Sequence, residues 1–261
     1  MNRKKRGSEM KKDVRVLAQC NLFGVLGAIP KLLELDPDAA ALVKDTKISI
    51  GFAVKDGPHA TLSIKNGRAA MKEGIDACSI KLWFPSCEKF NALIDGNGMP
   101  IPVSGFWHIG FLLGGFTKLT DILSAYLRPD PEKLKDPVFF ERSTILMLHV
   151  IAGAVAEVGN WDPVGKFSAS NIVDGVIRLS IGDRLAVGVR AEDHRLSAIH
   201  KDPGEGFSEM HFDDLVVARD LFDGRINAVA AVGEGKVKIS GMISQVDNVN
   251  RILDRVSLYL A

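Results

Sequence analysis

The chain is poor in residues that announce chemistry by themselves. Three cysteines occur in 261 residues, Cys20, Cys78 and Cys87, with no Cys-x-x-Cys spacing. An odd count makes a poor disulfide framework, so the thiols read as free and the compartment as reducing, that is, cytoplasmic. The six histidines show no metal-ligating spacing and no His-Glu-x-x-His is present, so neither a metal nor another cofactor is expected. A Gly-x-Ser-x-Gly elbow and a phosphate-binding glycine loop are also missing. Charge of one sign is lacking too. A net charge of +1 supplies no general attraction to nucleic acid or to an acidic membrane. Basic residues cluster only at Arg3-Lys4-Lys5-Arg6 and Lys11-Lys12, which reads as a solvated tail over residues 1–12. Long apolar runs are interrupted: residues 16–35 contain Gln19, Asn21, Pro30 and Lys31, and residues 106–116 are too few to span a bilayer. Leu17-Ala18-Gln19-Cys20 looks like a lipoprotein cleavage site, yet charged Lys11, Lys12, Asp13 and Arg15 precede it, so no signal peptide is expected.

What the chain does have is a repeat. Leu93-Ile94-Asp95-Gly96 returns as Leu221-Phe222-Asp223-Gly224, at 221 − 93 = 128. Val103-Ser104-Gly105 returns as Ile239-Ser240-Gly241 at 239 − 103 = 136, and Tyr126-Leu127 as Tyr259-Leu260 at 259 − 126 = 133. Upstream, Asp36-Pro37 returns as Asp162-Pro163 at 162 − 36 = 126. Each match is a common dipeptide or turn; four in one order at similar offsets mark an internal duplication. The expected organisation is a first domain over residues 13–128, a proline-rich linker over 129–137, and a second domain over 138–261. With 46% hydrophobic residues, each half can bury a core of its own.

Within the first half, residues 14–35 read as a helix broken near Pro30, followed by a short helix opened by Asp36-Pro37. Alternation of Ile48, Ile50, Phe52 and Val54 predicts a strand, as do Leu62 with Ile64 and the triplet Ile80, Leu82 and Phe84. Asn66-Gly67 predicts a hairpin into a strand at 69–72. A helix from Pro85-Ser86 stops at Gly96, a short strand follows near 101–105, and a helix closes at Leu127. The second half repeats the order: an apolar helix over 139–158, strands near 176–181, 185–190, 195–200 and at Met210 and Phe212, then a helix with Asp213 as its cap. Residues 225–232 read as helical, Val237 and Ile239 as a last strand, and 246–259 as the best-patterned amphipathic helix. The fold class is α+β: two tandem domains, each a mainly antiparallel sheet with helices on one face.

The second half, with Asp213-Asp214-Leu215, Asp223-Gly224, a short helix, Gly235-Lys236, Ile239-x-Gly241 and a final amphipathic helix in that order, resembles the sterol carrier protein type 2 family. The first half resembles it through Asp95-Gly96, Val103-x-Gly105 and the closing helix. The likeness covers the chain from about Asp36 onward. It implies, for each half, a five-stranded sheet overlaid by helices around an apolar tunnel that takes a sterol, fatty acid, fatty acyl-CoA or phospholipid, with no catalytic residues. The first half departs from the pattern. It is 136 − 128 = 8 residues shorter between its Asp-Gly and Ser-Gly motifs, and it carries Phe106, Trp107, Ile109, Phe111, Leu112, Leu113 and Phe116 where the second half is more polar.

A carrier needs an apolar interior and a wall that parts. Each buried methylene contributes about 0.8 kcal/mol, so a long acyl chain gains on the order of 10 kcal/mol before the cost of immobilising it. Candidate lining residues in the second half are Phe207, Met210, Phe212, Val229, Val232, Met242, Val246 and Leu253. In the first half they are Trp83, Phe84, Phe90, Phe106, Trp107, Phe111 and Leu119. For each one, core packing is the plainer alternative. Residues 106–116, with Gly105, Gly110, Gly114 and Gly115 in or beside them, read as a flexible apolar lid with transient membrane contact, or else as an interface between domains or subunits. Two other functions stay open: a scaffold that binds a partner protein through apolar surfaces, and an acyl- or polyprenyl-processing enzyme using His211 or Asp214. No nucleic-acid partner is expected, and the oligomeric state is not specified by the sequence.

Overall fold

The computed structural model describes residues 12–98, 100–204, 206 and 208–260. Apart from Lys12, the expected basic tail lies outside them. The first half begins with α1 (Val14–Gln19), which runs through a π-helical stretch (Cys20–Val25) and a 3-10 turn (Leu26–Ala28) into α2 (Ile29–Leu35). The irregularity therefore precedes Pro30. Pro30 sits in the first turn of α2, where a missing N–H removes no helical bond. Then come α3 (Pro37–Leu42), β1 (Lys47–Val54), β2 (His59–Lys65), β3 (Arg68–Glu73), β4 (Ile80–Phe84), α4 (Cys87–Ile94), β5 (Ile101–Ser104), α5 (Ile109–Phe111) and α6 (Thr117–Leu127). The second half comprises α7 (Pro137–Trp161), α8 (Pro163–Ala169), β6 (Gly175–Ile181), β7 (Leu185–Glu192), β8 (Arg195–Ile199), β9 (Ser208–Phe212), α9 (Leu215–Phe222), α10 (Ala228–Gly233), β10 (Val237–Gly241) and α11 (Ile243–Leu260).

The two sheets have one topology. Their orders are β3-β2-β1-β4-β5 and β8-β7-β6-β9-β10, and in each the first and fourth strands of the half pair in parallel while the other pairs are antiparallel. The same hairpin closes the second and third strands. It uses Asn66 and Gly67 at φ 51° and 77° in one half, and Asp193 and His194 at φ 49° and 61° in the other. Helices cover one face of each sheet. Ile50, Phe52 and Leu82 point into the first core, and Ile177, Leu179 and Met210 into the second.

The halves interlock. Val16 and Cys20 of the first half belong to the second core, while Leu146 and Val150 of α7 belong to the first. The long helices cross at glycines. A Cβ on Gly153 would lie 2.7 Å from the Phe23 carbonyl oxygen and 2.9 Å from Gly24 Cα, so only glycine allows this backbone approach. Two helical stretches, Val14–Leu35 and Pro137–Trp161, are by length and composition apolar enough to cross a bilayer, contrary to the sequence expectation. Both are mostly buried, which is what a shared core pair requires.

Two of the four sequence repeats are each other's partners in space. Asp36 caps α3 by accepting from Asp38 N and Ala39 N at 2.9 Å, and its other oxygen accepts from Tyr126 Oη at 2.6 Å. Asp162 likewise accepts from Val164 N and Gly165 N at 2.9 Å, and from Tyr259 Oη at 2.8 Å. The repeated Asp-Pro and Tyr-Leu motifs thus clasp the closing helix of each half to its start. Arginine completes both, unequally: Arg255 Nη2 is 2.6 Å from Asp162, whereas Arg142 Nη1 is 3.5 Å from Asp36. Burial pushes both carboxyls up, but these donors outweigh it and hold each below the ordinary carboxylate range. Such groups stabilise the fold above about pH 4 and lose that contribution as the pH falls through their folded pKa. Tyr126→Phe leaves Asp36 with only a distant arginine to replace the lost donor, and Tyr259→Phe leaves Asp162 well served. Urea denaturation is expected to show a loss of about 2–3 kcal/mol for the first and about 1 kcal/mol for the second; the reverse order would contradict this account of the clasp.

Candidate functional site

The described sequence-named residues fall into two groups. Met210, Phe212 and Val246 are buried in the second core, with Leu253 packed against it. Phe84, Phe90 and Leu119 are buried in the first, with Phe111 packed against it. The rings of Phe84 and Phe90 meet edge to face at 5.1 Å, and those of Phe212 and Phe222 at 5.7 Å. Trp83, Phe106, Trp107, Val229, Val232 and Met242 are instead exposed. Phe207 lies outside the described residues.

Apart from Trp83 on β4, the exposed group lies on or next to the outer strands in the chain. Strands β5 and β10 are outer strands of their sheets; a glycine of positive φ follows the first, Gly105 at 79°, and ends the second, Gly241 at 81°. Around the first glycine lie Ile101, Val103, Phe106, Trp107 (83% exposed) and Ile109; around the second lie Ile239, Met242 and Ile243 (75% exposed), with Val229 and Val232 on the preceding α10. Each half therefore presents an apolar collar where its edge strand gives way to the segment leading into the closing helix. Scattered apolar residues on a surface need no explanation, but the same cluster at equivalent places in two halves does.

Residues 106–116 are helical but irregular, where the glycines argued against a rigid helix. A 3-10 turn (Phe106–His108) leads through α5 and a π-helical turn (Leu112–Phe116) into α6. Leu112 is buried and Phe116 lies 6.2 Å from the ring of Phe52, so one side anchors in the core. Phe106, Trp107, Ile109 and Leu113 remain outside.

The residues weighed for catalysis are otherwise engaged. Asp214, not Asp213, caps α9 by accepting from Val216 N and Val217 N at 2.8 Å, while Asp213 pairs with Lys238 at 2.8 Å. With two adjacent acids the backbone decides which one caps, and Asp214 is the extended residue before the first turn. His211 Nδ1 is 2.9 Å from the hydroxyl of Ser180, which donates to Glu209 at 2.6 Å. Glu209 and Asp202 both pair with Arg178. This network lies on the sheet face opposite the core, since Ile177, Leu179, Met210 and Phe212 alternate with it and point inward. Among the described residues no group of three or more His, Cys, Asp or Glu is placed to hold a metal ion.

A cavity of about 630 Å³ opens elsewhere, between the halves, beside α2, α7, β3 and β8. None of the described candidate ligand or catalytic residues lines it. Its signal in the sequence was the 126-residue offset of the two Asp-Pro motifs, which also aligns the helices preceding them.

No family model matches the chain. No curated protein matches it either. Among solved structures, one described as "UbiJ-SCP2 Ubiquinone synthesis protein" is similar at 18% identity and a TM-score of 0.32, covering 41% of this chain and 95% of that one. Another, "Crystal structure of sterol carrier protein 2", is similar at 16% identity and a TM-score of 0.33, covering 42% of this chain and 92% of that one.

Gly105 is closely packed as well as left-handed. A Cβ on Gly105 would lie 2.0 Å from the Ser79 carbonyl oxygen. Gly105→Ala is therefore expected to cost more than about 3 kcal/mol in urea denaturation, well above the about 1–2 kcal/mol of a left-handed alanine alone. A loss of no more than about 1–2 kcal/mol would contradict this reading of the collar's geometry.

Proposed function

We propose that the protein binds a hydrophobic small molecule, a sterol, fatty acid, fatty acyl-CoA or phospholipid, and carries or presents it without catalysing its conversion. The observation that carries this reading is the duplicated apolar collar. A guest must pass through the wall of its carrier, and a wall parts most readily at an edge strand with a free side, next to a glycine joint and an irregular helix. Both halves have the edge strand and the glycine, at β5–Gly105 and at β10–Gly241, and the first half adds the irregular helix of residues 106–116. Behind each collar lies an apolar core with large aromatic side chains, Phe52, Phe84 and Phe90 in one half and Phe212 in the other. Transfer of apolar surface out of water drives the binding, and no charged anchor is required.

In this reading residues 106–116 meet the membrane surface while ligand is collected. Trp107 and Leu113 stand outward and Leu112 holds the segment to the core. The cytoplasm is the proposed setting, in keeping with three unpaired cysteines.

Titration with a fluorescent dodecanoyl probe tests the proposal. The expected result is saturable binding with a dissociation constant in about the micromolar range or tighter. Trp107→Glu should weaken uptake by the first half and Ile243→Glu by the second, each by about tenfold, because a charge in the collar must be desolvated as the guest enters. Phosphatidylcholine vesicles should shift the Trp107 emission to the blue. Failure of the probe to saturate, or indifference to both substitutions, would overturn the reading; an unmoved Trp107 emission would remove the membrane contact from it.

A further inference from the structure

The cavity between the halves lies on the axis of the duplication. Adding 126, the offset between Asp36 and Asp162, to Gly27 and Pro30 gives Gly153 and Ala156, and all four line the cavity. The same offset pairs Phe23 with His149, Lys31 with Glu157 and Glu34 with Asn160, again all lining residues. The walls are thus built twice from one template, the end of a long helix beside the outer strand of a sheet, β3 on one side and β8 on the other. The shape is symmetric. The chemistry is not, since only Gly27 and Gly153 of these five pairs are identical.

We propose that this cleft binds an organic cation, a protonated amine carried on an apolar body. Its volume of about 630 Å³ suits a small molecule. Phe23, Met71, Ala156 and Leu196 supply apolar wall from both halves. The charges are lopsided. Glu34, Glu73, Glu157, Glu192 and Asp193 face the space against two cations, Lys31 and Arg195. Lys31 is already held by Glu34 at 3.0 Å. Of the other four carboxylates, Glu73 from β3 and Glu157 from α7 come from opposite halves and repel one another. Burial, reinforced by Glu73, pushes Glu157 up to about 7, against a hydrogen bond from Trp161 and the attraction of Arg195. A cation between them removes that repulsion. The histidines of the cleft do not serve as that cation. His149 Nδ1 lies 3.2 Å from His200 Nδ1, and burial together with His200 and Lys31 holds His149 at about 3, hence neutral.

Three probes with one body and three charges decide the matter: octylammonium, octanol and octanoate, titrated calorimetrically at neutral pH. At the cleft, in the binding that Glu73→Gln and Glu157→Gln reduce, octylammonium is expected to be held at least about tenfold more tightly than octanol, with octanoate weaker still. Glu73→Gln and Glu157→Gln, which keep side-chain size, should each weaken octylammonium about fivefold or more, and the surface variant Phe167→Glu, outside the cleft and the collars, should leave its affinity unchanged. Octanoate binding that Glu73→Gln and Glu157→Gln weaken as much as they weaken octylammonium, no measurable octylammonium binding, or octylammonium affinity that ignores both glutamine variants would overturn the proposal. The dodecanoyl titration addresses the collars and is read separately.

Discussion

Two long helices pass so close at Gly24 and Gly153 that no side chain fits between them, and the placement of both sheets follows from that contact. With the backbones in contact, residues of α1 reach the second core and residues of α7 reach the first. Each half therefore completes the other's interior. The repeat did not produce two beads on a string but a pair that shares its central helices, as the protomers of an isologous dimer share an interface. The cleft is the part of that interface the side chains leave open.

The local structure was legible in the sequence because its causes are local. Period-two alternation located the strands, Asn66-Gly67 the hairpin, and Asp36-Pro37 and Asp162-Pro163 the starts of α3 and α8. The repeats even carried tertiary information: Asp36 with Tyr126, and Asp162 with Tyr259, recur because each pair shares a hydrogen bond. What resisted reading depends on residues far apart in the chain. The π-helical stretch at Cys20–Val25 is shaped by a helix more than a hundred residues later, and nothing near Gly24 says so. The break was expected at Pro30 because proline is conspicuous; at the first turn it is harmless. The choice between Asp213 and Asp214 turned on backbone conformation rather than residue type. Among the candidate ligand residues, composition could not separate buried Met210 and Phe212 from exposed Val229 and Met242, since all are apolar.

The duplicated parts have diverged according to their use. The clasp has kept its Asp and Tyr in both halves, as a buried carboxylate left without donors is strongly destabilising. The collars have kept their glycine and apolar character but differ in length and in aromatic content. The cleft has kept its shape and changed its charges. In the proposed reading, stability, entry of an apolar guest and recognition of a charged one thus fall on three separate places in one repeated architecture.

The central claim is that this protein holds a hydrophobic guest. Native mass spectrometry of gently purified protein tests it most directly, followed by organic extraction and identification of what is released. The account predicts a population heavier than the bare polypeptide by the mass of one or two lipid molecules, lost on extraction. A single species at the polypeptide mass, with an extract free of lipid and no uptake when lipid is added back, would contradict it.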